Sequence, residues 1–203
     1  MNKSKTSNLI LEKTKELMRT NGEVTIKEIA DAAYVNIAAV NYYFGSKENL
    51  ICNVLDEIIA ELKEKIVDAI NNYNLEKMSL EKSILLIIDL IFSFTYENVG
   101  IVTYSFLQFG TQDRSRNILV NEFLLDEEFT SLIIKKLSEV SSNTNINELY
   151  AKYMLIFSAF SVPLFLGVLD QTYEKYTQLK NSDLKYHEFK NAYINELQKV
   201  LKS

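Results

Sequence analysis

Pro163 is the only proline in this 203-residue chain, and glycine occurs five times. With breakers so scarce, and apolar residues recurring at three- and four-residue spacings almost throughout, the pattern predicts an all-α protein. A first helix is expected from about Ser7 to Thr20, with Ile10, Leu11, Leu17 and Met18 on one face and Asn21-Gly22 as its stop. Thr25-Ile26-Lys27-Glu28 has the S/T-x-x-E form of a capping box and opens a short second helix, whose buried stripe is Ile26, Ile29, Ala30 and Ala33. Tyr34-Val35 then leads to Asn36, the N-cap of a third short helix that carries Val40 and Phe44 inward. Gly45 ends it, and Ser46 caps a fourth.

From Ser46 the expected helices lengthen: one to about Asn72, then Met78 to Glu97, Val99 to Phe109, and Asp113 to about Ser141. Asn145 with Glu148 caps a helix that runs through Pro163 with a kink, and Ser182-Asp183 opens the last. No internal repeat or low-complexity linker divides the chain. The shift in helix length near residue 49 separates a first domain, 1–49, from a second, 50–203, with one continuous helix crossing the boundary.

Cys52 has no cysteine to pair with, and no apolar run follows the opening "MNKSKTSN", so the expected compartment is the cytoplasm. The longest apolar tract, Tyr153 to Leu169, is at the short limit for a membrane span and is interrupted by Ser158, Ser161 and Pro163. It reads as a buried helix. The net charge of −5 is unevenly spread: seven basic and six acidic side chains give residues 1–50 a charge of +1, leaving −6 on the remainder. Only the N-terminal end can meet a phosphate backbone without net repulsion.

Two short helices joined by a tight turn, the second opening on a cap and exposing small and polar residues, suit a helix-turn-helix. On a helical wheel Ile37, Val40 and Phe44 share one side of the third helix, Ala38, Ala39 and Tyr42 point the other way, and Asn41 and Tyr43 flank them. A face this slim lets a helix sit deep in a major groove, where an alanine methyl can meet a thymine methyl and an asparagine can bridge N6 and N7 of adenine. The tyrosine hydroxyls and Lys47 lie at the helix's far end, where phosphates would pass.

The stretch Ile10 to Leu50, "ILEKTKELMRTNGEVTIKEIADAAYVNIAAVNYYFGSKENL", resembles the DNA-binding signature of the TetR-type transcriptional regulators. Gly22, Thr25, Ile29-Ala30, Ala33, Val35, Val40, Tyr42 or Tyr43, Phe44, Ser46-Lys47-Glu48 and Leu50 carry the likeness. By that resemblance Asn36, Ile37, Ala38, Ala39 and Asn41 would face bases, Thr25, Tyr42, Tyr43 and Lys47 would hold phosphates, and Lys27 would assist. Periodicity alone gives Ile37 a core position, and Asn36 is equally a cap. Tyr34 stands where the family commonly has Gly or Asn, so either Tyr34 takes a left-handed backbone or the turn differs. Thr14 replaces a usual small apolar residue, and its hydroxyl can bond back to the helix. Lys3 and Lys5 are read as a solvated terminus, or as an arm toward a neighbouring groove.

Beyond Leu50 the resemblance is architectural and implies a ligand-binding and dimerisation domain. Asp89, Phe92, Tyr96, Tyr104, Phe109, Phe123, Phe157 and Phe160 are the candidates for a largely apolar effector pocket, Asp89 standing out as a carboxylate within "ILLIIDLIF". A homodimer through the last two helices is expected, since "YAKYMLIFSAFSVPLFLGVL" is apolar around most of its circumference. The implied function is a dimeric repressor released from a palindromic operator by a small effector. One histidine, His187, one cysteine and no phosphate loop or HExxH pattern leave catalysis little to work with. No catalytic residue, metal or cofactor is expected. The competing class is a helical adaptor that binds only protein, which would leave the third helix's exposed face unexplained.

Overall fold

The computed structural model describes residues 3–72, 80–107 and 117–158, with 192, 195–197 and 199 near the C-terminus. All regular structure among the described residues is helical: α1 (Lys3–Asn21), α2 (Ile26–Ala32), α3 (Ile37–Phe44), α4 (Lys47–Asn72), α5 (Leu80–Glu97), α6 (Val99–Leu107), α7 (Ile118–Val120) running into a π-helical turn (Asn121–Leu125), and α8 (Glu127–Ser141). A further helix, α9, begins after Asn145 and is described over 146–158. Two compact units emerge from the packing, one of Met1–Glu64 with Phe94–Asp126 and one of Lys65–Ser93 with Glu127–Ser203. The divisions fall inside α4, inside α5 and between Asp126 and α8.

In the first unit α1 packs against α2, α3 and α6. Ile10 and Met18 of α1, Ile29 and Ala33 of α2, Val40 of α3 and Leu50, Val54 and Ile58 of α4 are almost completely withdrawn from solvent. Thr14 is buried among them because its hydroxyl donates back to the Ile10 carbonyl at 2.7 Å, which satisfies the polar group within its own helix. α1 starts earlier than its sequence pattern suggests. Lys3 and Lys5 belong to the helix rather than to an arm, and Thr6, only 5% exposed, anchors this first turn.

Polar contacts fasten the C-terminal half of α1. Lys15, only 6% exposed, places its ammonium on Glu61 and 3.7 Å from Glu57, both on α4. Near the helix end, Arg19 Nε donates to Asn98 Oδ1 at 3.1 Å. Asn98 is buried at the junction of α5 and α6, where its backbone N–H and its side-chain Nδ2 both donate to the Phe94 carbonyl and its own carbonyl accepts from Val102. Gly22 closes α1 with φ 70 and lies against Gly100 of α6.

Asp113 to Ser141, expected as one helix, is interrupted in the structure. Asp126 leaves helical geometry with ψ 109, separating the π turn from α8. Its carboxylate accepts from Lys63 of α4 at 2.6 Å, beside a 2.8 Å bond from Lys63 to Glu122. Glu127 and Glu128 then start α8 at the end where the helix dipole favours negative charge.

In the second unit Ile66, Ala69 and Ile70 of α4, Phe129, Ile134 and Leu137 of α8, and Leu149 and Tyr153 of α9 are buried. The Asn145 cap forms as the N-x-x-E pattern predicts: its Oδ1 accepts from the Asn147 N–H at 3.1 Å, and its Nδ2 donates to Glu148 at 3.0 Å. Ile146, Tyr150 and Met154, at four-residue steps on α9, remain between 45 and 51% exposed. No helix among the described residues is long and apolar enough to cross a membrane. The expected kink at Pro163 and the last helix from Ser182 lie outside the described residues.

Candidate nucleic-acid interface

The interface begins with two caps. Thr25 opens α2 with the full reciprocal box: its Oγ1 accepts from the Glu28 N–H at 3.2 Å, while Glu28 Oε2 receives both the Thr25 N–H and its hydroxyl at 2.7 Å. These bonds, the backbone one first, hold the Glu28 carboxyl below its usual pKa. Asn36 opens α3, its Oδ1 accepting from the Ala39 N–H at 2.7 Å. Gly45 closes α3 with φ 78, donating to the Asn41 carbonyl at 2.8 Å, and the Ser46 hydroxyl accepts from the Asn49 N–H to start α4. Every cap in this stretch joins residues three or four apart, which is why the sequence could reveal them.

The connection from α2 to α3 resolves the question raised by Tyr34. Its backbone is left-handed, φ 54, with its N–H bonded to the Asp31 carbonyl and that of Val35 to Ala30. A left-handed non-glycine residue costs about 1–2 kcal/mol. Burying Val40 completely contributes about 1.5–3 kcal/mol, so docking α3 outweighs the strain of the turn.

With Val40 inward, α3 turns Asn36, Ile37, Ala38, Asn41 and Tyr42 to solvent, and Ala39, Tyr43 and Phe44 are half-buried. Ile37 departs from its periodic expectation: it is 42% exposed. It is the first residue of an eight-residue helix, where its neighbours cover it only in part. The rings of Tyr42 and Tyr43 meet edge to face, 5.1 Å between centroids, at the C-terminal end of α3.

Charge on this unit is partitioned. Lys13 is bonded to Glu16 at 2.6 Å, a contact that raises the ammonium pKa with a smaller contribution from the neighbouring Tyr34; Lys15 is held by Glu61 and Glu57, and Arg19 by Asn98. Among the described residues, Lys27 on exposed α2 and Lys47 at the start of α4 make no ion pair. Lys5 and Arg19 also make no ion pair, Arg19 being held by a neutral amide; Lys27 and Lys47 are the two such cations on the helices that precede and follow α3, a distribution suited to a polyanion.

The effector candidates are less gathered. Phe123 is buried in the π turn, Tyr104 and Phe157 are half-buried on α6 and α9, and Asp89 is exposed on α5. Phe92 and Tyr96 lie in α5 with side chains outside the described set, as are Phe109 and Phe160. A cavity of about 290 Å³ in the first unit is lined instead by Asp56, Ala60, Lys63 and Glu122. Sequence reasoning missed this group, and also Asn98 and Gly100. Spacing along one helix carries no sign of a partner some sixty or more residues away.

Residues 10–53 match the family model described as bacterial regulatory proteins, tetR family. No match was found among curated proteins. Among solved structures, a Mesorhizobium loti MAFF303099 protein provisionally named a TetR-family transcriptional regulator superposes with a TM-score of 0.67 at 11% identity, covering 98% of each chain. A Bacillus subtilis transcriptional regulator, FadR, in complex with stearoyl-CoA gives 0.65 at 17% identity, covering 93% of this chain and 96% of that one. A Clostridium perfringens protein provisionally named a fatty acid metabolism regulator gives 0.61 at 20% identity, with 95 and 96% coverage. The chain thus shares the all-helical fold of these structures, with an N-terminal helix-turn-helix. The family match over residues 10–53 falls on the stretch Ile10 to Leu50 that carries the resemblance to TetR-type regulators.

Proposed function

We propose that the chain is a ligand-responsive transcriptional repressor, acting in the cytoplasm as a homodimer on a palindromic operator. The observation that carries this reading is the open face of α3, held by buried Val40 and flanked by Lys27 and Lys47 without ion pairs. In this scheme residues 1–49 read DNA: Ile37, Ala38, Ala39 and Asn41 approach base edges, while Lys27, Tyr42, Tyr43 and Lys47 hold phosphates. Asn36 and Thr25 act first as caps. The Asn36 Oδ1 already accepts from Ala39 and the Thr25 hydroxyl proton already goes to Glu28, so each would have to share or exchange a bond to touch DNA. Asn41 has no such commitment and is the better adenine reader.

Residues 50–203 bind the effector and form the dimer. A largely apolar effector suits the aromatic set of Phe92, Tyr96, Tyr104, Phe109, Phe123, Phe157 and Phe160, with exposed Asp89 the weakest member of the proposed pocket. The stearoyl-CoA bound by the B. subtilis regulator favours the same chemistry. The exposed stripe Ile146, Tyr150 and Met154 supports a dimer built on the last two helices. An effector that prefers one arrangement of α6 would act on α1 through Arg19–Asn98 and Gly22–Gly100, moving the two heads out of the one-turn spacing, about 34–36 Å, that adjacent major grooves require.

The test is selection of bound duplexes from a random pool by the full chain, followed by titration of the selected site. Affinity should fall steeply with salt and collapse on combining Lys47→Ala with Tyr42→Ala while the helical fold is retained. Unchanged binding by the double variant would sink the assignment. Binding of no duplex at all would favour a protein-only adaptor.

A further inference from the structure

One feature of the helix-turn-helix is left without a role by this scheme. Tyr34 is 93% exposed, so its ring buries next to nothing, yet its backbone is held at φ 54, where a bulky side chain is strained. Glycine or asparagine would take this conformation more readily. The side chain contributes little to folding, which directs attention to a bound state in which it is used.

Position along the chain indicates which bound state. Tyr34 precedes the N-cap Asn36 by two residues, no more than about 7 Å of chain. The N-terminal turn of a recognition helix is the part that approaches the bases. Because the major groove is about 12 Å wide, a side chain this close to the tip of α3 falls at the groove wall, where sugar and phosphate lie. Tyrosine suits that wall, with a ring that packs on apolar surface and a neutral hydroxyl that donates to a phosphate oxygen.

We propose that Tyr34 is a further DNA-contacting residue, its hydroxyl donating to a backbone phosphate at the edge of the groove that α3 occupies, which presupposes that α3 reads DNA as set out above. Tyr34 would then fix the register of the head on the duplex from the side opposite Tyr42 and Lys47 along α3.

The experiment compares the full-length wild type, Tyr34→Gly and Tyr34→Phe on a duplex selected by the wild type, measuring Kd across a salt series and Tm for each protein. Tyr34→Gly should keep or raise Tm while weakening binding about tenfold, and Tyr34→Phe should weaken it about threefold, in line with loss of one hydrogen bond. The salt slope should stay unchanged in both, because a neutral donor releases no counterion, whereas Lys47→Ala should reduce it by about one. Binding of Tyr34→Gly within about twofold of wild type overturns the proposal and leaves the exposed ring to a protein partner. A fall in Tm that accompanies the loss of affinity overturns it too, since the ring would then serve the fold. Failure of the wild type to select any duplex removes the DNA-binding reading itself, an outcome distinct from a wild type that binds beside an indifferent Tyr34 variant.

Discussion

Gly22 and Gly100 meet backbone to backbone: a Cβ built on Gly22 would stand 3.0 Å from the Gly100 carbonyl oxygen. Gly22 also has φ 70, so a side chain there is strained twice, once by its own backbone and once by α6. Gly22→Ala should destabilise the protein by about 2–3 kcal/mol in denaturant melts. Gly45 makes the control. Its φ of 78 is similar, but a Cβ there meets only the end of the Asn49 side chain at 3.4 Å, so Gly45→Ala should cost about 1–2 kcal/mol. Equal losses at the two positions would show that α6 does not bear on Gly22.

The capping box at Thr25 makes a pH-dependent contribution whose direction is set by Glu28. The Glu28 carboxyl is held below 4.5 by the Thr25 N–H and then by the Thr25 hydroxyl. A carboxyl lowered in the folded state binds fewer protons than in the unfolded chain, so its stabilisation is present above pH 4.5 and lost as pH falls through the folded value. Thr25→Ala should cost about 1 kcal/mol at pH 7. Thermal melts should show Glu28→Gln separated from wild type at neutral pH and converging with it as pH falls below 4.5; a constant separation contradicts the box as the source.

Asn36 and Asn41 are both exposed on α3, yet they should fail differently. Asn36→Ala removes the cap on the Ala39 N–H and should lower stability by about 1 kcal/mol. Asn41→Ala should leave Tm close to wild type and relax preference at one base pair, by about 1–3 kcal/mol of discrimination. Sequence selection with each variant, alongside melts, separates the two roles. A wild-type specificity profile from Asn41→Ala would remove it as a reader.

Lys63 neutralises Glu122 and Asp126 beside a cavity that Asp56 also lines. Partial burial works against the Lys63 charge, but its bonds to Asp126 and Glu122 prevail and its pKa is raised, so the ammonium contribution is fully present at neutral pH and below. Lys63→Met should cost about 1–2 kcal/mol, between an exposed and a buried pair. Asp56 has the opposite sign: desolvation, then the Glu122 charge, raises its pKa above 3.8, so stability falls as pH rises through that window. Asp56→Asn should therefore stabilise the protein at pH 7, by less than about 1 kcal/mol because solvent screens the site, with the gain gone below pH 3.8. A loss of stability in Asp56→Asn would refute this account of the cavity.

Much of the reading head was legible because it is built from local rules. The Thr25 box, the Asn36 and Ser46 caps and the left-handed stops at Gly22 and Gly45 each involve residues within four positions, and the buried stripe of α2 follows its apolar spacing. Helix order through α6 follows from the same periodicity. Where local rules compete with a distant partner, they lose. Asp126 breaks the predicted long helix while its carboxylate is held by Lys63, and Ile37, at the first turn of α3, is only partly covered by its neighbours.

Caps and periodicity act over one or two turns, so the amino-acid order alone was enough to set the all-helical class, the helix-turn-helix and the small, uncharged face of α3. Which cations are engaged within the fold depended instead on distant helices: Lys15 is held by Glu61 and Glu57, and Arg19 by Asn98, residues 42 to 79 positions away. Helix packing also decided how α1 is tied to α6. Contacts of that range depend on where whole helices come to rest, a quantity set by the packing of every buried side chain together and by no single stretch of chain.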